Sequence, residues 1–407
     1  MASTRRGLAL AGGGPLGAIY EIGALVALDE ALEGFPLAAC DVYVGVSSGS
    51  FFASGLANGL TPRAMFESFI ENTVDDPFDP AVLLRPAFTE FAHRALGLVP
   101  LLLSVAGAWF TAPTQRGFMA AAERLGQAVP TGILDNGSIV RYLARLFAAP
   151  GRTDDFRRLT RRLFIVATDL DTGEVVPFGA PGLDDVPISV AVAASAALPG
   201  LYPPVSYGGR SFVDGALKKT LHASVALRDG VQLLLCINPL VPFNAALAER
   251  RTGVRPARLV EYGLPLVLSQ TFRAIIHSRM HVAMGHYATE FPGADIVLFE
   301  PAEDDPEMFF VNVLSYADRR RLCEHAYQYT RRELLRRYEE LAPVFARHGV
   351  SINRAVLEDT GHTLVAPAED AGLAGAMRAL DTTLDRLADE MAAQGADHRE
   401  FDEAVSI

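Results

Sequence analysis

Two short apolar runs each end in a glycine-rich turn and give way to a helical stretch. No other feature of the chain limits its fold as much. Residues 7–11 run into Gly12-Gly13-Gly14-Pro15-Leu16-Gly17, after which residues 18–31 read as a helix. Val42-Tyr43-Val44 runs into Gly45-Val46-Ser47-Ser48-Gly49, and a second helix is expected from Ser48 towards Gly59. Uninterrupted apolar runs this short are strands buried on both faces, and strands alternating with helices build a parallel sheet. Further strands are expected at residues 163–168, 231–237 and 296–299, and residues 207–212 read as a hairpin turn with a short strand. The predicted fold is therefore three-layer α/β/α, with a mainly parallel central sheet, a helical insertion and a helical C-terminal region.

The organisation follows from where this alternation fails. Residues 61–130 lack strand patterns and read as a helical cap inserted into a domain spanning residues 1–345; residues 346–407 read as a helical extension. Cys323, Tyr327, Leu334, Tyr338 and Leu341 mark one face of a long helix. Glu324, Glu333 and Glu340 lie at ion-pairing spacings from its arginines, 319–321, 331, 332, 336 and 337, which reads as a solvated face. Leu373, Met377, Leu380, Leu384, Leu387 and Met391 alternate spacings of four and three. That seam serves either a helix laid on the domain or a homodimer contact.

Charge and cysteine content narrow the setting. A net charge of −12 argues against nucleic acid as a partner, because phosphate binding needs a basic face. Cys40, Cys236 and Cys323 are odd in number and far apart, so no disulfide framework or zinc knuckle is legible. The N-terminal apolar run is too short for a secretory leader. The expected location is cytoplasmic. Peripheral contact with a membrane surface is expected through residues 95–112, an almost uncharged stretch carrying Trp109 and interrupted by Pro100. That stretch is a buried cap helix, a lid or interfacial segment, or, at the margin of the length required, a membrane span.

Three motifs carry chemistry. Gly45-Val46-Ser47-Ser48-Gly49 fits the G-x-S-x-G nucleophile elbow, in which flanking glycines permit a turn that presents a strained, exposed serine. The cluster Gly12, Gly13, Gly14 and Gly17 offers backbone amides and a helix N-terminus to a negative charge. It also matches G-x-G-x-x-G, the dinucleotide fingerprint. That fingerprint expects an acidic residue at the end of the second strand, whereas Asp41 precedes that strand. Asp214-Gly215-Ala216, after the hairpin, gains meaning only beside the other two.

In this order the three motifs resemble the patatin-like phospholipase family. Residues 167–174 (Ala-Thr-Asp-Leu-Asp-Thr-Gly-Glu) and 193–205, centred on Ala197-Leu198-Pro199-Gly200, agree, and the similarity covers roughly residues 7–240. The resemblance implies a patatin-like hydrolase domain acting on lipid or acyl-ester substrates through an acyl-enzyme, with no metal and no organic cofactor. It implies Ser47 as nucleophile, Asp214 as base, and an oxyanion hole of backbone amides around Gly13 and Gly14. One departure stands out: the family's basic residue before the last glycine of the loop is Leu16 here. Lys218 and Lys219 could compensate for the missing charge. A triad would instead draw on His222, His277, His281, His286 or His325. The alternative function is a non-catalytic lipid- or acyl-binding protein of the same fold.

Overall fold

The computed structural model describes residues 4–71, 85–86, 131–310 and 316–365. Its strands in chain order are β1 (Arg6–Leu10), β2 (Leu32–Glu33), β3 (Val42–Val46), β4 (Arg162–Asp169), β5 (Val175–Phe178), β6 (Val205–Tyr207), β7 (Arg210–Asp214), β8 (Leu233–Ile237), β9 (Asp295–Phe299) and β10 (Ser351–Ile352). Among the described residues, eight of them form one sheet in the order β6-β7-β4-β3-β1-β8-β9, with β5 pairing β4. β4, β3, β1, β8 and β9 are mutually parallel, as the alternating pattern predicts. β5 and β7 run antiparallel to β4, and β6 antiparallel to β7. The hairpin joining β6 and β7 turns on Gly208 and Gly209, both at positive φ (59° and 76°), the conformation two-residue hairpins need. Its docking along β4 was not legible in the sequence.

Side-chain alternation sorts the core into two layers. Ala9, Val42, Val44, Val46, Phe164, Val166, Leu234 and Cys236 share one cluster with Ala223, Ala226 and Leu227 of the helix Ala223–Arg228 and with Tyr287 of the helix Gly263–Glu290. The opposite face carries α1 (Gly14–Ala31) and α2 (Ser48–Ala57). Gly45 of β3 shows how tightly α2 sits there. A β-carbon at Gly45 would come within 2.6 Å of Ser50 Cα and 2.7 Å of Ala53 Cβ. Helices thus cover both faces.

Three expectations are corrected. α1 begins at Gly14, inside the glycine cluster, and not at residue 18. Pro15 falls in the first turn, where its missing N–H costs no helical bond. The long C-terminal helix is two helices, Tyr316–Arg336 and Tyr338–Arg347. Cys323, Tyr327, Leu334 and Leu341 are buried as expected. Third, the arginine face is only partly solvated. Arg336 pairs with Glu333 at 2.8 Å and Arg337 with Glu340 at 3.0 Å. Arg331, however, is 2% exposed and donates to the carbonyls of Val356, Asp359 and His362. A guanidinium with five donors satisfies several carbonyls around the end of the short helix Arg354–Glu358 at once, and spacing along one helix cannot reveal that.

Contacts separate two compact units, Met1–His362 and Thr363–Ile407, and within the first β10 pairs antiparallel with β2. Of the expected insertion, the helix α3 (Pro62–Phe66) and a single π-helical turn at Glu67–Glu71 are described. The apolar stretch at residues 95–112 and the seam at residues 373–391 lie outside the described residues. No helix of the described residues is long and apolar enough to cross a membrane.

Candidate active site

Ser47 sits between β3 and α2 with φ 49° and ψ −123°, one of two non-glycine residues at positive φ among those described. Strain of this kind, of order 1–3 kcal/mol, persists only where the surroundings over-determine it. Here they do. The Ser47 amide donates to Ser195 Oγ at 2.9 Å, Ser195 Oγ donates to the Val166 carbonyl at 2.6 Å, and Ser50 Oγ donates to the Ser47 carbonyl. Gly49 lets α2 rest on the end of β1, since a β-carbon there would lie 2.5 Å from the Leu10 carbonyl oxygen and 2.6 Å from that of Ala11.

Asp214 ends β7 opposite Ala167 of β4, one strand from β3. Ser47 Oγ donates to Asp214 Oδ2 at 2.7 Å, and the Ala216 amide donates to Oδ1 at 2.8 Å. Gly215 is required next to it, because a β-carbon would sit 2.2 Å from the Val166 carbonyl oxygen. Asp214 is 3% exposed. Burial lifts its carboxyl from the ordinary 3.8 to about 6, against the two hydrogen bonds from Ser47 and Ala216, which favour the anion. A carboxylate so placed is a far better proton acceptor than an exposed aspartate.

The glycine cluster closes over the serine. A β-carbon at Gly12 would lie 2.9 Å from Ser47 Cβ and 3.2 Å from Ala216 Cβ. The four glycines grouped as one oxyanion site in the sequence divide by role. The Gly12 amide donates to the Thr220 carbonyl at 3.4 Å and the Gly17 amide to that of Gly13 at 3.0 Å. Both residues serve close packing: a β-carbon at Gly17 would meet Pro239 at 2.8 Å. Gly13 caps α1 and Gly14 opens it, at positions whose amides have no acceptor within the helix. α1 and α2 therefore both begin beside Ser47, and each aims the positive end of its dipole at the site.

Four of the five candidate histidines have other partners. His222 is 3% exposed, its Nε2 lies 3.2 Å from the Gly215 carbonyl oxygen, and burial pushes its imidazole down to about 4. His325 pairs with Asp305 at 2.6 Å, His277 and His281 face each other at 3.0 Å, and His286 is exposed on the same long helix. None of these contacts involves Ser47 or Asp214. Lys218 and Lys219 are exposed, and Lys218 Nζ donates to the Gly173 carbonyl, away from the glycine loop. Two features escaped sequence reasoning. Ser195 lies in an alanine-rich stretch with nothing to distinguish its hydroxyl. Asp169 Oδ1 accepts from the amides of Asp171 and Thr172 while Oδ2 takes Arg210 Nε at 2.7 Å, tying the β4 turn to the strand that carries Asp214.

A family model of patatin-like phospholipases matches residues 8–227, more than half of the chain, including Ser47, Asp214 and the glycine cluster. The chain belongs to the patatin-like phospholipase family. Two NTE family proteins, of Mycobacterium bovis and Mycobacterium tuberculosis, are each 30% identical to it over 195 residues, 48% of this chain and 30% of theirs. The match thus spans less than a third of those relatives' length. Among solved structures, VipD from Legionella pneumophila aligns with TM-score 0.37 and 14% identity over 82% of this chain and 67% of its own. The type III effector protein ExoU aligns with TM-score 0.33 and 18% identity over 82% and 53%. Likenesses this distant carry no argument about chemistry. Family membership supports lipid hydrolysis in general.

Proposed function

We propose that this patatin-like protein is a serine acyl hydrolase that cleaves acyl esters of lipids through a Ser47–Asp214 dyad. The 2.7 Å hydrogen bond between Ser47 Oγ and the buried Asp214 carboxylate carries the reading. Ser47 Oγ attacks the ester carbonyl carbon as its proton passes to Asp214. The negative charge that develops on the carbonyl oxygen is met by the amides of Gly13 and Gly14 and by that of Ser48 at the start of α2. Collapse of the tetrahedral intermediate expels the alcohol, which takes the proton from Asp214, and leaves the acyl group on Ser47. Water then attacks the acyl-enzyme, again losing its proton to Asp214; collapse of the second tetrahedral intermediate breaks the bond to Ser47 Oγ, which takes that proton back from Asp214 as the fatty acid leaves. With an aspartate as the only base, preorganised amides and positioning supply a large part of the rate.

A fluorophosphonate probe should label Ser47 of the purified chain, and Ser47→Ala should abolish both labelling and hydrolysis of p-nitrophenyl esters and phospholipid vesicles. Asp214→Asn should abolish turnover without unfolding the protein. Absence of labelling in the folded wild type would favour the acyl-binding alternative, which the loss of a basic side chain at Leu16 keeps open. A His222→Ala variant that folds normally yet is as inactive as Ser47→Ala would replace the dyad with a triad.

A further inference from the structure

A second group of side chains converges at the same edge of the sheet as the dyad, three strands away. His277 and His281 are one turn apart on the helix Gly263–Glu290, so both imidazoles project from one face. Glu300 directly follows β9. The two Nε2 atoms lie 3.0 Å apart, and Glu300 Oε1 lies 3.6 Å from His277 Nε2 and 3.7 Å from His281 Nε2. A circle through three atoms at these separations has a radius of about 2.0 Å, the length of a bond from zinc to nitrogen or oxygen. Ligand atoms of a tetrahedral zinc ion lie about 3.3 Å apart, in the middle of the observed range. A hydrogen bond between two neutral imidazoles accounts for the shortest separation alone. It gives no reason for a carboxylate oxygen to stand equidistant from both nitrogens.

The surroundings favour a bound cation. The second oxygen of Glu300 accepts from Asn238 Nδ2 at 3.2 Å, which turns Oε1 towards the histidines. Asn238 is fully buried, and its amide donates to the Phe299 carbonyl at 2.9 Å, so the group that orients the carboxylate is itself fixed. Outer contacts of this kind are what metal ligands characteristically make. The His277 side chain is 11% exposed and that of His281 is 54% exposed, so the cluster opens to solvent on the His281 side and leaves room for a fourth ligand such as water. Two imidazoles and one carboxylate select a first-row transition dication over magnesium or calcium, which take oxygen ligands.

We propose that His277, His281 and Glu300 bind a first-row transition-metal dication, with zinc as the first candidate, clamping the long helix to the end of β9. The order β3-β1-β8-β9 sets Glu300 about 14 Å from the nucleophile's strand, so the ion takes no part in ester attack. Zinc binding and esterase activity are thereby separable.

The test is calorimetric titration of the chelator-treated full chain with zinc chloride, paired with visible absorption of the cobalt-loaded protein. One zinc per chain is expected, with a cobalt spectrum of tetrahedral type and a rise in thermal midpoint on loading. His281→Ala alters a half-exposed side chain and should fold; it and Glu300→Gln should each weaken binding at least tenfold and abolish the midpoint rise. Ser47→Ala should bind zinc like the wild type, whatever it does to hydrolysis. Failure to bind zinc at concentrations of about 100 µM, or one-to-one binding that both His281→Ala and Glu300→Gln leave intact, would overturn the proposal.

Discussion

The amide of Ser47 and the hydroxyl of Ser195 are hydrogen-bonded at 2.9 Å, although 148 residues separate them in the chain. Ser195 ends the helix Ile188–Ser195 and passes the bond on to the Val166 carbonyl. It touches no reacting atom and acts by holding the elbow's backbone in its strained conformation. Ser195→Ala would strand a buried amide and a buried carbonyl, at about 1–3 kcal/mol each. The expected result is a fall in kcat of tenfold or more with KM nearly unchanged, read on a short soluble ester. An unchanged kcat would remove Ser195 from the positioning apparatus.

The rate should follow the ionisation of Asp214. Only its anion can accept the serine proton, and burial holds that group near 6. The profile of kcat/KM against pH for a soluble ester should therefore climb through about pH 6 and level off above it. A midpoint near 4 would mean that the carboxyl titrates as if it were exposed.

Stability should run the opposite way. Asp214 holds its proton more tightly folded than unfolded, so its contribution is fully present below the unfolded value of 3.8 and is lost as pH rises through about 6. The difference amounts to about 3 kcal/mol at pH 8. Asp214→Asn removes the titration while keeping the shape. It should be more stable than the wild type at pH 8, with the advantage shrinking towards zero below pH 4. Urea unfolding at both ends of that range decides it.

The glycine cluster should show a steep ranking. At Gly13 a β-carbon would meet Pro239 Cγ at 2.5 Å and Gly17 Cα at 2.6 Å, whereas at Gly14 it would meet nothing within 4 Å. Gly14 does have φ 59°, which costs an alanine about 1–2 kcal/mol. Gly13→Ala should lose kcat by a hundredfold or more while binding changes little. Gly14→Ala should keep a measurable fraction of activity. Equal losses, or losses confined to KM, would argue that the loop binds substrate and does not hold the oxyanion.

Much of the candidate site is legible in the sequence, because local geometry demands particular residues there. A strand that must turn sharply into a helix needs Gly45 and Gly49, and a backbone that must approach Ser47 needs Gly12. Residue types of that kind announce their positions. Ser195 and Asn238 do not, because each matters through hydrogen bonds to partners far along the chain. Glu300 meets His277 and His281 only once β9 and the long helix have docked. The break between the helices Tyr316–Arg336 and Tyr338–Arg347 is hidden for a related reason: the apolar face continues across it, so periodicity reads the two as one.

Gly49 presses the first turn of α2 onto the carbonyls of Leu10, the last residue of β1, and of Ala11, which leads directly into the glycine loop. The proposed nucleophile and the amides that would face the oxyanion are thus carried by segments in direct contact, and neither can shift without displacing the other. Adaptation to longer, shorter or branched acyl groups is therefore closed at this contact. Any divergence in substrate preference among relatives that keep these glycines must arise in segments that do not share it, so the chemistry and the choice of substrate are free to evolve on separate parts of the chain.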